Sequence, residues 1–418
     1  MPAATPREAA LLILCKTEYE GAYPNLELKK LPQTMSARDR ALAVSLVYGV
    51  ISKKLTLDYI IRTLSKIKIK KLSKYIHQIL RLGIYQLMFT DKIPQSAAVN
   101  ESVKLAKRYG HAASAGYVNG VLRAAARTVI EYPGEPVKRL SVMYSYPEWL
   151  CRRWITEFGA DFAEELMKAF DKEPELTLRP NSLKTTAVEL AAMLNDEGKN
   201  AAVSGNAVVC TGLDVGNDRL YREGFYTVQD KAAAAAAATL SPKPGETVID
   251  MCAAPGGKTT HMAELMKNSG KITAFDIHEH KIKLIEENAA RLGITIIAAK
   301  KADAAVYDGA LKETADKVLC DVPCSGLGIL RRKPDIKWNR SPEDDFRTVQ
   351  LNILKNGAAY LKHGGELVYS TCTIERAENE EITGELLKTD GFEKLFEKTY
   401  YPNTDNTDGF YICKLKKI

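Results

Sequence analysis

Apolar residues recur every three or four positions through the first 130 residues of the chain. Leu42, Leu46 and Val50, for example, lie on one face of a helix. A second pattern of this kind, over 95–109, follows a proline and ends at a glycine, as helices commonly begin and end. We therefore predict an all-α domain over residues 1–132.

A segment rich in proline and glycine, Tyr132–Pro136, interrupts the helical pattern. Helical and extended patterns alternate after it, and they predict a linker and a small α+β domain over residues 133–230. The predicted helices are 149–170 and 187–197, and the predicted extended segments are 176–178 and 201–209.

The last 180 residues alternate short apolar runs with helical patterns, and they begin with an alanine-rich helix from Lys231. This alternation is typical of a doubly wound α/β sheet, whose ligands bind beyond the carboxyl ends of its strands. We predict such a domain over residues 231–418. The predicted strands are 247–250, 272–276, 295–299, 317–321, 366–370 and 410–415, and helices are predicted at 259–267 and 279–292.

Charge is unevenly distributed along the 418 residues. Residues 1–140 hold 23 lysines and arginines against 10 acidic residues, whereas the remainder holds 36 against 42. Six of the basic residues lie between Arg62 and Lys74. A basic module joined to a mildly acidic one predicts a polyanionic partner that is held mainly by the N-terminal third.

Several classes of protein are disfavoured. No run of about 18 apolar residues is present, so we expect no membrane span. The eight cysteines form no CxxC pair, as expected of reduced thiols in the cytoplasm. The histidines form no HExxH motif, and we expect no metal site.

The first predicted strand of the α/β domain leads into a glycine-containing loop. A Walker A loop requires glycine six residues before Lys258, but Cys252 occupies that position. A dinucleotide fingerprint requires GxGxxG, and only Gly256 and Gly257 are present. The loop still allows a ligand to approach the backbone closely.

Acidic residues follow four predicted strands in succession. Such a series disfavours a di- or triphosphate and suits a cationic nucleoside, S-adenosylmethionine. Asp276 lies where a carboxylate commonly binds the ribose hydroxyls. The four residues are Asp250, Asp276, Asp303 and Asp321.

Two cysteines also follow predicted strands, Cys324 in a Pro-Cys-Ser-Gly loop and Cys372 in a Ser-Thr-Cys-Thr loop. Methyltransferases of exocyclic amines carry an Asp/Asn-Pro-Pro-aromatic loop instead, because the amine attacks the methyl group directly. C5 of cytosine reacts only after a nucleophile has added at C6, and a thiolate is suited to that addition. A single cysteine would more often be a buried apolar residue, but two in one cleft favour chemistry.

These motifs resemble the RNA 5-methylcytosine methyltransferases, the NOL/NOP/Sun group. The resemblance extends to Arg331–Trp338, and the stretch Ile93–Glu101 resembles the NusB-like RNA-binding module. It implies an all-α NusB-like N-terminal domain, a small α+β RNA-facing domain and a C-terminal α/β Rossmann-like class I methyltransferase. The stretch Leu178–Asn181 resembles part of the RNA-facing domain. In bacteria this pairing of domains modifies a cytosine of 16S rRNA.

The resemblance also implies roles for individual residues. Cys372 would be the nucleophile and Cys324 would help to release the product, while Lys258 and Asp321 would contact the target base. We expect the Cys372 thiol to have a lowered pKa. The expected S-adenosylmethionine ligands are Cys252, Ala253, Ala254, Pro255, Gly256, Gly257, Lys258, Asp276, Asp303 and Asp321.

Two alternatives stay open at this point. DNA cytosine methyltransferases use the Pro-Cys cysteine as the nucleophile, which would reverse the roles of Cys324 and Cys372. The chain could also be a non-catalytic RNA-binding or ribosome-assembly factor on a methyltransferase fold. In addition, serines expected soon after Val228–Asp230 are alanines here. We expect 16S rRNA, free or in an assembling subunit, as the partner, and a monomer as the working state.

Overall fold

The computed structural model describes residues 5–418, and their contacts divide the chain into two units. One unit runs to Asp171 and also includes Lys333–Pro342, and the other comprises Lys172–Arg332 and Glu343–Ile418. The predicted division into domains at residues 132 and 230 stays a prediction. Across the described residues, the helices are all too short or too polar to cross a membrane.

The first unit is helical, as predicted. Thr5, Ser36 and Ser73 cap three of its helices by accepting a backbone N–H, and apolar side chains from most of its helices share one core. The predicted helix 149–170 is wrong as a single element, because Gly159 has a φ of 84° and divides it. Its helices are α1 Pro6–Glu20, α2 Pro24–Lys29, α3 Ala37–Ser52, α4 Lys54–Leu64, α5 Lys74–Met88, α6 Gln95–Tyr109, α7 Ser114–Ala125, α8 Pro136–Tyr144, α9 Glu148–Phe158 and α10 Ala160–Phe170.

The segment Lys333–Pro342 is held in the helical unit by two adjacent side chains. Lys337 Nζ donates to the carbonyl of Ser52 over 2.9 Å, and Trp338 Nε1 donates to that of Ile51 over 2.8 Å. These carbonyls end α3, where a helix leaves acceptors unsatisfied. Lys337 is buried against the ring of Tyr146, and this burial lowers its pKa to about 7.

The second unit begins with a small antiparallel sheet in the order β2-β3-β1-β4, covered by a helix. The predicted extended segment 201–209 is wrong as a single strand. It is a hairpin that turns at Gly205, where φ is 61°. The elements are β1 Leu176–Pro180, α11 Ala187–Asp196, β2 Asn200–Ser204, β3 Ala207–Thr211, α12 Arg219–Arg222 and β4 Tyr226–Val228.

A seven-stranded mixed sheet forms the rest of this unit, in the order β10-β11-β9-β8-β5-β6-β7. The edge strand Phe392–Tyr400 was not predicted. The helical residues 336–339 lie in the helical unit, although they fall between strands of this sheet in the sequence. The strands are β5 Thr247–Asp250, β6 Lys271–Asp276, β7 Ile297–Lys301, β8 Ala315–Asp321, β9 Leu361–Thr371, β10 Phe392–Tyr400 and β11 Phe410–Lys417. The helices from Lys231 onwards are α13 Lys231–Leu240, α14 Gly257–Leu265, α15 Glu279–Leu292, α16 Ile336–Asn339, α17 Arg347–Tyr360, α18 Glu380–Leu387 and α19 Pro402–Asp405, and of these α16 belongs to the helical unit.

Helices cover both faces of this sheet. Successive residues of β5, Val248 and Ile249, point into two different apolar cores, as the alternation of a strand requires. The alanines of α13 pack in one core, and residues of α17 and α18 pack in the other. Strands β7, β6, β5, β8 and β9 are parallel neighbours, so their carboxyl ends share one edge. All the predicted acids and both predicted cysteines lie at or just after the carboxyl ends of these five strands.

Candidate active site

The pairing of β8 with β9 brings the two predicted cysteines together. Asp321 lies opposite Ser370 in this parallel pair, so Cys324 and Cys372 follow at the same edge. Their Sγ atoms are 3.3 Å apart, which is contact between two thiols and not a disulfide bond. The hydrogen bond to Cys372 and burial together raise the pKa of the Cys324 thiol.

The two cysteine loops are also tied to each other. The backbone N–H of Gly328 donates to the carbonyl of Cys372 over 3.0 Å, and Ser325 Oγ donates to Thr373 Oγ1 over 2.9 Å. A Cβ atom on Gly328 would lie 2.0 Å from the carbonyl oxygen of Gly409 and 2.8 Å from that of Cys372. Only glycine therefore fits between these two loops.

A lysine–aspartate pair lies beside the thiols. Lys258 Nζ is 2.8 Å from Asp321 Oδ2, and Ser370 Oγ donates to Asp321 Oδ1 over 2.8 Å. Burial acts to lower the pKa of Lys258, but the charge of Asp321 and the nearby Cys372 outweigh it and raise the pKa. The ammonium group also lies 5.1 Å from the centre of the Phe410 ring. A fixed positive charge thus faces the cysteines.

The glycine-containing loop before α14 fits a bound nucleoside. Gly256 has a φ of 100°, and a Cβ atom there would lie 3.2 Å from Cα of Ile285. Asp250 accepts a hydrogen bond from Thr259 through Oδ2, whereas its buried Oδ1 has no partner among the described residues. Burial raises the pKa of Asp250 to about 7. An orphaned carboxylate oxygen near this glycine-containing loop suits a ligand that carries donors or positive charge.

The other predicted ligands follow the same edge. Asp276 Oδ1 accepts from the N–H of His278 over 3.0 Å, and Asp303 Oδ1 accepts from the N–H of Ala305 over 2.9 Å. Each carboxylate therefore also shapes the turn after its strand. Burial raises the pKa of the Cys252 thiol well above its usual range, which disfavours its thiolate form. The cofactor roles of these residues stay predictions.

The motif Leu178–Asn181, which carried part of the resemblance, has a structural role. Arg179 is buried, and its guanidinium donates to the carbonyl of Gly257 and to Glu264 over 2.7 Å each. Asn181 is also buried and donates to the carbonyls of Gly224 and Leu292. These two side chains hold the small sheet's first strand and the loop after it, and the RNA-facing role of this stretch stays a prediction.

Arg331 and Arg332, which follow the Cys324 loop, have a similar structural role. Both bind Asp408, at 2.5 Å each, and both reach Asp230. The two carboxylates thereby clamp the chain where it leaves the second unit. Asp230 thus has a partner in a motif 101 residues away.

The sequence did not single out three buried polar residues behind the cysteine loops, Glu378, Asn379 and Gln350. Glu378 and Asn379 bind the backbone or hydroxyl groups of the two loops, and Gln350 connects one loop to Glu378. Their one signal in the sequence is proximity, because Glu378 and Asn379 follow Cys372 by only six and seven residues.

Three family models match the chain in order. The NusB family matches residues 4–127, the ferredoxin-like domain of RsmF/B-like methyltransferases matches 146–215, and the family of 16S rRNA methyltransferases RsmB/F matches 237–416. The fold and these matches define an S-adenosylmethionine-dependent methyltransferase that carries a NusB-like helical domain and a ferredoxin-like domain. The predicted fold class and cofactor are confirmed.

Whole-length relatives make the assignment more specific. A protein of Bacillus subtilis named probable ribosomal RNA small subunit methyltransferase B is 38% identical over the full length of both chains. A protein of the same name from Synechocystis is 36% identical and covers 98% of this chain and 99% of its own. The crystal structure of PH0851 has 27% identity and a TM-score of 0.81, with 99% of each chain covered. The chain belongs to the 16S rRNA methyltransferase RsmB/F family, as the predicted resemblance indicated.

Proposed function

We propose that the protein methylates C5 of a specific cytosine in 16S rRNA through a transient bond between Cys372 and C6. The observation that carries this proposal is the contact of two thiols, 3.3 Å apart, beside the Lys258–Asp321 pair. A methyltransferase that acts on an amine has no need of two sulfur atoms at this place. A nucleophile and a second group for release are what C5 chemistry requires.

The proposed reaction uses a thiolate of this chain, a methyl donor and a base. S-adenosylmethionine, when bound, supplies an electrophilic methyl group. The Cys372 thiolate forms a bond to C6, and the electrons of the C5–C6 double bond move to C5. C5 takes the methyl group as the bond from methyl to the sulfonium sulfur breaks, and S-adenosylhomocysteine is the leaving group. A base then removes the proton from C5, the double bond re-forms, and the bond from C6 to sulfur breaks. We assign Cys324 to this release step.

Lys258 and Asp321 fit the polar edge of the cytosine ring. Addition at C6 places negative charge on N3 and O2 of the ring, which an ammonium group stabilises. A carboxylate can accept a hydrogen bond from the exocyclic amine. The same positive charge favours the thiolate form of Cys372, and it thereby supports the predicted lowering of that pKa. The target base must leave its stack to reach these groups.

The helical unit supplies a surface for the RNA backbone. Five cations in the last turn of α4 and in the segment between α4 and α5 are exposed, and none has a carboxylate partner among the described residues. Unpaired exposed cations suit phosphates, whose contacts position a strand without reading its bases. We propose that the protein acts as a monomer in the cytoplasm, on rRNA that is free or in an assembling subunit. The five cations are Arg62, Lys66, Lys68, Lys70 and Lys71.

Two single substitutions test the assignment of the cysteines. We would incubate the Cys372→Ala and Cys324→Ala variants with rRNA and labelled S-adenosylmethionine, and then measure methyl transfer and adducts that survive denaturation. We expect no transfer and no adduct from Cys372→Ala, and trapped RNA from Cys324→Ala. The opposite pattern would reverse the two roles. Failure of the unaltered protein to bind the cofactor in equilibrium dialysis would favour a non-catalytic assembly factor.

A further inference from the structure

Behind the two cysteine loops lies a pair of adjacent buried residues, Glu378 and Asn379, that the proposed chemistry does not use. Their side chains are 6% and 0% exposed in a segment just before α18. The hydroxyl of Tyr369, on β9, donates to the carbonyl of Glu378 over 2.6 Å and fixes this segment to the sheet. Polar groups that are buried this deeply are costly unless they are bonded.

Glu378 holds the loop that carries Cys324. Its Oε2 accepts a hydrogen bond from the backbone N–H of Ser325 over 2.8 Å and another from Gln350 Nε2 over 2.9 Å. The same Gln350 nitrogen donates to the carbonyl of Pro323 over 3.0 Å. The residues on both sides of Cys324 are therefore fixed through one carboxylate, directly on one side and through Gln350 on the other.

Asn379 holds the loop that carries Cys372 in the same manner. Its Oδ1 accepts from the hydroxyl of Thr371 over 2.6 Å, and its Nδ2 donates to the carbonyl of Thr373 over 3.1 Å. One amide thus spans the cysteine from the residue before it to the residue after it. Both ends of the amide are used, so neither an acid nor an aliphatic side chain could replace it.

We propose that Glu378 and Asn379 are positioning residues that act on different steps of the reaction, Asn379 on formation of the bond to C6 and Glu378 on release. The proposal rests on the proposed function, because it takes the two cysteine roles from there. Displacement of a reacting group by about 1 Å can slow a step roughly 100-fold. Glu378 and Asn379 therefore each govern the step that the cysteine they position performs.

The test compares Glu378→Ala and Asn379→Ala with Cys324→Ala and Cys372→Ala in one assay of methyl transfer and of denaturation-resistant RNA adduct. We expect Glu378→Ala to accumulate adduct, as Cys324→Ala does, with turnover reduced at least tenfold. We expect Asn379→Ala to form little adduct and to transfer slowly, as Cys372→Ala does. Glu378→Gln should regain most of the turnover, since its amide oxygen can accept both hydrogen bonds.

Two controls separate positioning from folding. Glu381→Ala, an exposed change three residues along the same segment, should leave turnover and adduct unaltered. Circular dichroism and cofactor binding establish that the alanine variants are folded. If Cys324→Ala traps RNA and folded Glu378→Ala does not, the positioning proposal is overturned and the proposed function stands. If Cys324→Ala itself traps nothing, the cysteine roles are wrong and both proposals are overturned.

Discussion

The positive charges of the two units differ in their surroundings. In the helical unit, five cations in the last turn of α4 and in the segment between α4 and α5 are exposed and without carboxylate partners among the described residues. In the second unit, Lys258, Arg331 and Arg332 each bind an aspartate, and Arg179 binds Glu264. Exposed unpaired charge attracts a polyanion at long range, whereas buried paired charge fixes loops and side chains. The comparison teaches that a basic residue has to be placed in the fold before it is assigned to RNA.

Replacement of Lys258 by methionine tests the paired side of the comparison, and we expect the largest effect there. Loss of the charge beside the reacting base should slow single-turnover methyl transfer by roughly 100- to 1,000-fold. RNA affinity and its salt dependence should change less than about twofold, because this cation serves chemistry. Asp321→Asn, which removes the negative charge of the pair and keeps the lysine, is the matched control variant. An effect on RNA affinity alone would place Lys258 with the recruiting charges.

Gly328→Ala tests the contact between the two cysteine loops without a change of charge. The added methyl group would collide with backbone atoms of Gly409 and Cys372, so the loops must separate. We expect methyl transfer to fall roughly 10- to 100-fold while RNA binding is retained. Gly384→Ala in α18, where a Cβ atom meets nothing within 4 Å, should have no such effect. Unchanged transfer by Gly328→Ala would show that the spacing of the loops is not critical.

The exposed cations should affect binding and not chemistry. Combined replacement of Lys66, Lys68, Lys70 and Lys71 by alanine should weaken rRNA binding by roughly tenfold near physiological salt. The slope of log affinity against log salt should fall by about 3, as expected when four phosphate contacts are lost. The rate at saturating RNA should stay the same. Alanine at Lys104, a lysine paired with Glu101 in the same unit, should matter far less.

An unchanged salt slope in the quadruple variant would remove the segment between α4 and α5 from the proposed RNA-binding surface. Filter binding or fluorescence anisotropy over a series of salt concentrations measures the slope directly. The exposed cations would then not be assigned to RNA binding, and the comparison with the paired cations would fail.

Lys337 is a buried cation of the helical unit, as Arg81 is, and its replacement should have the smallest effect. Its pKa is lowered from 10.5 to about 7, so between these values the unfolded chain binds a proton that the folded chain does not. The free energy of unfolding should therefore rise as the pH rises from 7 towards 10. Lys337→Met should remove that rise in urea unfolding curves measured at pH 7 and pH 9. The same change of unfolding free energy with pH in both proteins would contradict the lowered pKa of Lys337.

The sequence allowed the parallel strands to be predicted because each is a short apolar run followed by an acid or a cysteine. The edge strand Phe392–Tyr400 escaped prediction because most of its side chains are exposed and four of its nine residues are charged, which leaves no apolar period. The hairpin at Gly205 was hidden because two short strands share one extended pattern. The positioning roles of Glu378 and Asn379 depend on tertiary contacts, which no local sequence pattern predicts.

The site shows the same division. The thiols, the acids and Lys258 could be predicted because they belong to motifs at strand ends. The burial of Arg179 and Asn181 could not, since their partners lie up to 111 residues away in the chain. Charge and motif alone assign such residues to RNA, and only their partners reveal that they hold the fold together.

The covalent bond to C6 is the central claim, and RNA that contains 5-fluorocytidine tests it most directly. Fluorine at C5 cannot leave as a proton does, so the adduct should persist after methyl transfer. We would incubate the unaltered protein with this RNA and S-adenosylmethionine, digest both, and locate the modified peptide by mass spectrometry. We predict a methylated nucleotide attached to Cys372. A stable adduct on Cys324, or methyl transfer to ordinary RNA with no adduct from the fluorinated one, would contradict the account.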